Sequence, residues 1–236
     1  MSQFFESIRI NDGIAENLNF HQARVHKTLN AFDASHNSIE LTTIVQELVL
    51  PKLGLFKLRI SYDLNGNYEA KCNPYQYRQM NDFALVDIKG HRYDYKYANR
   101  DWINEALAQS GKDEIIMHDA GFIKDCSYTN VVFYDGANWY TPHSPLLEGT
   151  QRAKLIQEGI IITKALHVDE LPNFQKFKCI NAMIHWDAAV EYKIESNNIE
   201  NKANNTSNPI DDCKDIDENK IDKNRSRLQR CVGKNR

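Results

Sequence analysis

Tyr93-Asp94-Tyr95-Lys96-Tyr97-Ala98-Asn99-Arg100 carries the lysine around which the rest of the chain is organised. From Arg92 to Tyr97 charged and aromatic residues alternate with the period of a strand, which puts Arg92, Asp94 and Lys96 on one face and Tyr93, Tyr95 and Tyr97 on the other. A helix is expected directly afterwards. Asn99 can cap it, Trp102, Ile103, Ala106 and Leu107 recur at helical spacing, and Gly111 stands where a left-handed stop belongs. Lys96 is thereby placed near a strand end, among rings and beside Arg92 and Arg100. Desolvation and nearby positive charge both lower a lysine's pKa from about 10.4, as an amine that works as a nucleophile requires. The plainer alternative is a solvated lysine on the wet face of a strand.

Downstream, Gly121 to Asn130 leads into Val131-Val132-Phe133-Tyr134, Asp135-Gly136 turns the chain, and Trp139-Tyr140-Thr141-Pro142 returns, which reads as a hairpin. Leu146-Leu147-Glu148-Gly149-Thr150-Gln151-Arg152 then opens a helix running to Gly159. Its first turn offers free N–H groups and carries Arg152, a cation where the helix dipole disfavours one. An anion there resolves the conflict, as does pairing with Glu148.

A lysine, an acid at a strand end, an Asn-Val strand, a Thr-Pro turn and a Gly-Thr-Gln-Arg helix start, in this order, resemble the class IV aminotransferase family. Those are pyridoxal-phosphate enzymes of fold type IV: branched-chain and D-amino-acid transaminases and aminodeoxychorismate lyases. The likeness extends to Phe5-Glu6-Ser7-Ile8-Arg9, Asp12-Gly13, His21-Gln22-Ala23-Arg24 and Asn181-Ala182-Met183. It implies an α/β fold of two domains: a smaller N-terminal one over 1–83 and a larger cofactor-binding one over 84–198.

The resemblance also implies roles for single residues. Lys96 holds pyridoxal 5'-phosphate covalently and moves the substrate's Cα proton, and Asp125 sits beside the ring nitrogen. Arg24 and the N–H groups of Thr150 and Gln151 hold the phosphate, with Asn181 and Ala182 returning to it. Arg59 lies near the substrate carboxylate; an exposed cation on a strand face is the alternative. The chain departs from the family where Asp125 replaces the usual glutamate, where the helix start usually reads Gly-Ile-Thr-Arg, and in starting almost at the Phe-Glu motif, so that part of the substrate wall is expected either to be missing or to come from a second subunit. An aminodeoxychorismate lyase supplying 4-aminobenzoate for folate synthesis is the leading expectation. A branched-chain or D-amino-acid transaminase and a truncated, non-catalytic binding relative are the alternatives. The expected partners are a small amino substrate and a second copy in a homodimer.

The remaining sequence sets bounds. A net charge of −3 gives no electrostatic case for nucleic acid or an anionic membrane. No apolar run approaches a span of about 20 residues, so a cytoplasmic location is expected. Five scattered cysteines without a CxxC pair argue against a disulfide framework and against a structural zinc site. In the first third, Phe4 to Ile10 reads as a strand turning at Asn11-Asp12-Gly13. A helix follows with His21, Val25, Leu29 and Phe32 on its buried stripe, and His21 is taken as structural. A second helix is expected with Asn37 as its cap and Pro51 as its stop. Phe56 to Tyr62 reads as a strand, and Asn65-Gly66 as its hairpin turn. From residue 199 the chain is poor in apolar residues, which predicts a disordered tail over 199–236.

Overall fold

The computed structural model describes residues 3–194 and 199–201. The chain opens with β1 (Phe4–Asn11), whose apolar residues Phe4, Ile8 and Ile10 are buried. It reverses through Asp12 and Gly13, both at positive φ, into β2 (Ile14–Ala15). Helix α1 (Leu18–Ala31) follows, its buried face formed by His21, Val25, Thr28 and Leu29 at helical spacing. Next come α2 (Leu41–Glu47), β3 (Leu55–Tyr62) and β4 (Tyr68–Pro74). The strands form one antiparallel sheet in the order β2-β1-β3-β4, with α1 and α2 packed on Ile8, Ile10, Leu58 and Ile60. Asn37 does not cap α2: its amide donates to the Leu64 carbonyl at 2.8 Å, and the N–H of Leu41 is met by Gln22 Oε1 at 2.8 Å. A side chain 19 residues upstream takes the place of the local cap.

The second half runs β5 (Phe83–Asp87), α3 (Asp101–Ser110), β6 (Glu114–Asp119), β7 (Phe122–Cys126), β8 (Asn130–Tyr134) and β9 (Trp139–Pro142). It continues through α4 (Thr150–Gln157), β10 (Ile161–Lys164), β11 (Lys176–Ile180), β12 (Glu191–Lys193) and β13 (Ile199–Asn201). Two sheets result, β13-β5-β6-β7 and β10-β9-β8-β11-β12. They share a core of Phe83, Leu85, Ile116, Val131, Phe133 and Phe177. Each contains one parallel pair joined through a helix: α3 carries the chain from β5 to β6, and α4 carries it from β9 to β10. The expected hairpin is present as β8 and β9, paired Phe133 to Tyr140.

Three expectations are corrected here. Residues 92–97 are not a strand, and only Tyr97 makes a bridge, to Phe4. The alternating tyrosines pack instead as an aromatic cluster, Tyr97 on Phe4 and Tyr95 on Phe32. The first three residues of the expected tail, Ile199–Asn201, form β13 and pair in parallel with β5; residues 202–236 lie outside the described residues. The stop of α3 follows the sequence, with Gly111 at φ 65, but its N-cap is Arg100 and not Asn99, which stands one residue earlier and accepts from Asp101 N through Oδ1 at 3.0 Å. Among the described residues, no helix is long and apolar enough to cross a membrane.

Candidate active site

The starts of α3 and α4, the ends of β7 and β11, and strands β1 and β3 surround a cavity of about 400 Å³. Arg24, Arg59, Lys96 and Asp125 line it, and so do Thr150, Asn181 and Ala182. Gln151 does not. It is buried beside the site, and its side-chain oxygen accepts from Asn17 Nδ2 at 3.3 Å.

Lys96 is fixed by its backbone, whose carbonyl accepts from Phe5 N at 3.0 Å, and its Nζ stands 4.8 Å from the centroid of the Phe5 ring. Burial lowers its pKa, the Arg24 guanidinium adds to this, Glu6 pulls the other way, and Arg100 and Arg59 reinforce the fall to about 7. Arg92, expected to share in this, lies on the surface with Asp94 at 2.8 Å.

Asp125 is the last but one residue of β7 and has 4% of its surface exposed. Its Oδ1 accepts from Asn130 Nδ2 at 2.7 Å and its Oδ2 from Leu147 N at 2.8 Å. Burial nevertheless pushes its carboxyl up to about 6. Asn130 also donates to the Leu147 carbonyl at 2.9 Å and fills the space over Gly149, where an added Cβ would lie 1.9 Å from Asn130 Oδ1. With φ at −68, Gly149 is required by close approach and not by its conformation.

The third group was only partly visible in sequence. Arg24 Nε and Nη2 fork onto the fully buried Glu6 at 2.9 and 2.5 Å, and His21 Nδ1 meets the same carboxylate at 2.6 Å. Burial raises the Glu6 pKa, but Arg24 and then His21 overcome it and hold the carboxyl down to about 2. Burial also lowers the His21 pKa, against the pull of Glu6, and favours its neutral ring. The other ring nitrogen lies 3.4 Å from Thr150 Oγ1, so the chain Arg24–Glu6–His21–Thr150 ties α1 to the start of α4. Arg24 Nη1 reaches the Glu148 carbonyl at 3.3 Å.

Asn181 turns its side chain back on its own loop, accepting from Met183 N at 2.8 Å and Ile184 N at 3.2 Å. Arg152 is buried and donates to the Pro142 carbonyl at 2.9 Å, while Glu148 pairs with Lys27 at 2.6 Å. The cavity wall also carries cations on rings, Arg59 over Phe5 at 3.7 Å, Lys57 over Tyr75 at 5.5 Å, Arg78 over Tyr128 at 5.9 Å and Arg100 over Tyr93 at 5.8 Å, beside aliphatic Ile103, Met117, Leu146 and Met183.

The amino-transferase class IV family matches residues 3–189, and the chain belongs to that family of pyridoxal-phosphate-dependent enzymes. It is 34% identical over 187 residues to an uncharacterized protein of Haemophilus influenzae, covering 78% of this chain and 98% of that one. It is also similar to a crystal structure from Haemophilus somnus, provisionally named a 4-amino-4-deoxychorismate lyase: 34% identity, TM-score 0.73, 78% of this chain and 97% of the other. The Escherichia coli branched-chain amino acid aminotransferase shares the fold at 16% identity and TM-score 0.60, over 77% of this chain and 73% of that one. The cavity's own groups fit the family's cofactor: an amine with a pKa near 7, a buried carboxylate, and an arginine beside a helix start line one space.

Proposed function

We propose that the chain is a 4-amino-4-deoxychorismate lyase, releasing pyruvate and leaving 4-aminobenzoate. The observation that carries this is the cavity wall. It presents Lys57, Arg59, Arg78 and Arg100 on aromatic rings beside aliphatic Ile103, Met117, Leu146 and Met183, more cationic charge than the single carboxylate of a branched-chain amino acid calls for. The proposed substrate is a cyclohexadiene with two carboxylates, matched by cations and flat apolar faces. The 34% identity to the Haemophilus somnus protein supports the same reading.

In this reading Lys96 binds the cofactor, and its amine then takes the proton from the substrate carbon that bears nitrogen. Loss of that proton and of the enolpyruvyl group makes the ring aromatic and frees pyruvate. Bound pyridoxal phosphate supplies an aldehyde that captures amines and a ring that withdraws electrons from the breaking bond. Asp125, held by Asn130 and Leu147 N, is the partner for the ring nitrogen. Arg24, steadied by Glu6, holds the phosphate with the N–H group of Thr150; the backbone at Asn181 and Ala182 completes the cradle. Arg59 meets a substrate carboxylate. The 1–83 and 84–198 domains, a homodimer and a cytoplasmic setting complete the proposal.

The test is to incubate purified holoenzyme with 4-amino-4-deoxychorismate and measure pyruvate by coupled NADH oxidation and 4-aminobenzoate by fluorescence. Equal amounts of both products are expected. Transfer of amino groups from branched-chain or D-amino acids to 2-oxoglutarate, with no pyruvate released, would overturn the proposal in favour of a transaminase.

A further inference from the structure

Two thiols stand where the two sheets of the second half meet. Cys126 is the last residue of β7, in the sheet β13-β5-β6-β7, and Cys179 lies in β11, in the other sheet. Both belong to the shared core, each with 2% of its surface exposed, and their Sγ atoms are 3.7 Å apart. They differ in access: Cys126 lines the cavity and Cys179 does not. A third thiol among the described residues, Cys72, lies on β4 in the separate N-terminal sheet. Neither core sulfur has a part in the lyase chemistry.

Free cysteine packs as a small hydrophobe, and packing alone accounts for two of them in a core. Packing does not call for one thiol at the wall of a cavity with a second sulfur next to it. An accessible sulfur backed by a resolving one is the arrangement that oxidation to a disulfide requires. A sulfur–sulfur bond is about 2.05 Å long, so the two atoms must close by roughly 1.7 Å. That movement falls on backbone of the site, because Cys126 directly follows Asp125 and Cys179 stands two residues before Asn181. Asp125 accepts from Asn130 Nδ2 at 2.7 Å and from Leu147 N at 2.8 Å, both through the residue next to the moving sulfur.

We propose that Cys126 and Cys179 are a modification site, a dithiol that hydrogen peroxide entering the cavity converts to a disulfide, and that the bridge and the bound cofactor oppose each other. In the first step the Cys126 sulfur attacks one peroxide oxygen, the O–O bond breaks, and Cys126 becomes a sulfenic acid as water leaves. In the second, the Cys179 sulfur attacks that sulfenic sulfur, its proton goes to the departing hydroxide, and a second water leaves. Two thiols and one peroxide thus give one disulfide and two waters, with sulfur oxidised and the peroxide oxygens reduced. The Cys179 sulfur, and then burial, push the Cys126 thiol well above its ordinary range, so the conversion is slow at neutral pH and calls for sustained exposure. Cofactor filling the cavity covers Cys126, and a bridge that shifts Asp125 weakens cofactor binding; the coupling is the same in both directions. The site rests on the two sulfurs and the cavity and is independent of which amine the enzyme converts.

Cofactor-free protein and holoenzyme are each incubated with hydrogen peroxide at about pH 9, where thiolate is more abundant, then digested without reduction and mapped by mass spectrometry. A Cys126–Cys179 cross-link, lighter by two hydrogens than the separate peptides, is expected in cofactor-free protein and severalfold more slowly in holoenzyme. Cofactor affinity of the oxidised protein, read by absorbance, should fall about tenfold or more and recover with dithiothreitol. Cys179→Val, and Cys179→Ala should valine disturb the core, lack the second sulfur. They should instead collect sulfinic acid on Cys126, which dithiothreitol does not reverse.

Thiols that stay intact at Cys126 and Cys179 while other cysteines oxidise would overturn the site and leave the pair as core packing. Sulfinic acid on Cys126 of the parent, with no cross-link to Cys179, would overturn it too. A bridge that forms as fast in holoenzyme, or that leaves cofactor affinity unchanged, would overturn the opposition between bridge and cofactor. Since no substrate is present, none of these outcomes depends on whether the holoenzyme releases pyruvate.

Discussion

Glu6 and Arg24 meet as a fork, Oε1 taking Nε at 2.9 Å and Oε2 taking Nη2 at 2.5 Å, with the carboxylate wholly buried. Removing the charge of one partner strands the other in a dry setting. Glu6→Gln is expected to cost about 3 kcal/mol and lower the melting temperature by roughly 6–12 °C. The parent's carboxyl is held down to about 2 from an ordinary 4.5, so this stabilisation is complete above pH 4.5 and is lost as pH falls toward 2. Acid denaturation of Glu6→Gln should lack that component, and identical acid profiles would refute the fork's role.

Lys96 presents the opposite sign. Its pKa falls from an ordinary 10.5 to about 7, so the cost of its charge is in full force below pH 7 and is relieved as pH climbs toward 10.5. Cofactor-free Lys96→Met should be more stable than the parent at pH 6, with the difference shrinking above 7. Borohydride trapping of pyridoxal phosphate on the parent, followed by peptide mapping, should label Lys96 with a midpoint near pH 7. Lys96→Ala should lose the label, and Arg24→Met should move the midpoint upward.

The Asp125 carboxyl, pushed up to about 6, is expected to ionise in step with cofactor binding. Cofactor affinity should therefore weaken as pH drops below 6, and Asp125→Asn should flatten that dependence. The amide is expected to keep cofactor while lowering kcat by orders of magnitude, because it cannot hold a proton on the ring nitrogen. Asp125→Glu should retain more activity than the amide. Absorbance titrations and kcat for both variants check these outcomes.

Gly149→Ala introduces a Cβ 1.9 Å from Asn130 Oδ1. Asn130 must then move, and Asp125 loses its 2.7 Å bond with it. An expected cost of about 1–3 kcal/mol, measured by urea denaturation, should be accompanied by weaker cofactor binding. Adding Asn130→Ala should recover stability without recovering the affinity.

The hairpin at Asp135-Gly136 and the helix between Asn99 and Gly111 could be read directly because turn and cap chemistry is local. The residues gathered at the cavity were legible mostly through ordered motifs. The lowering of the Lys96 pKa was expected from Arg92 and Arg100; Arg100 contributes to it, whereas Arg92 is claimed by Asp94 two residues away, and Arg24 takes its place. Alternating tyrosines at 93–97 imitated a strand because rings that pack on Phe4 and Phe32 need the same spacing as a sheet face. Glu6 and His21 stayed hidden as partners: a buried acid becomes intelligible only once the residues 15 and 18 positions later are seen against it. The same holds for Gln22 at the start of α2, where a distant side chain replaced the local cap.

The pairing of Ile199–Asn201 with Phe83–Leu85 makes β13 a cover for an otherwise open margin of its sheet. Phe83, Ala84 and Leu85 are buried and apolar, and without that cover their backbone N–H and C=O groups would be available to another chain. Shortening the protein is therefore expected to have a threshold. A chain ending at Lys202 should remain dispersed and keep its melting temperature, whereas one ending at Ile194 should self-associate through β5, visible as light scattering that grows with concentration.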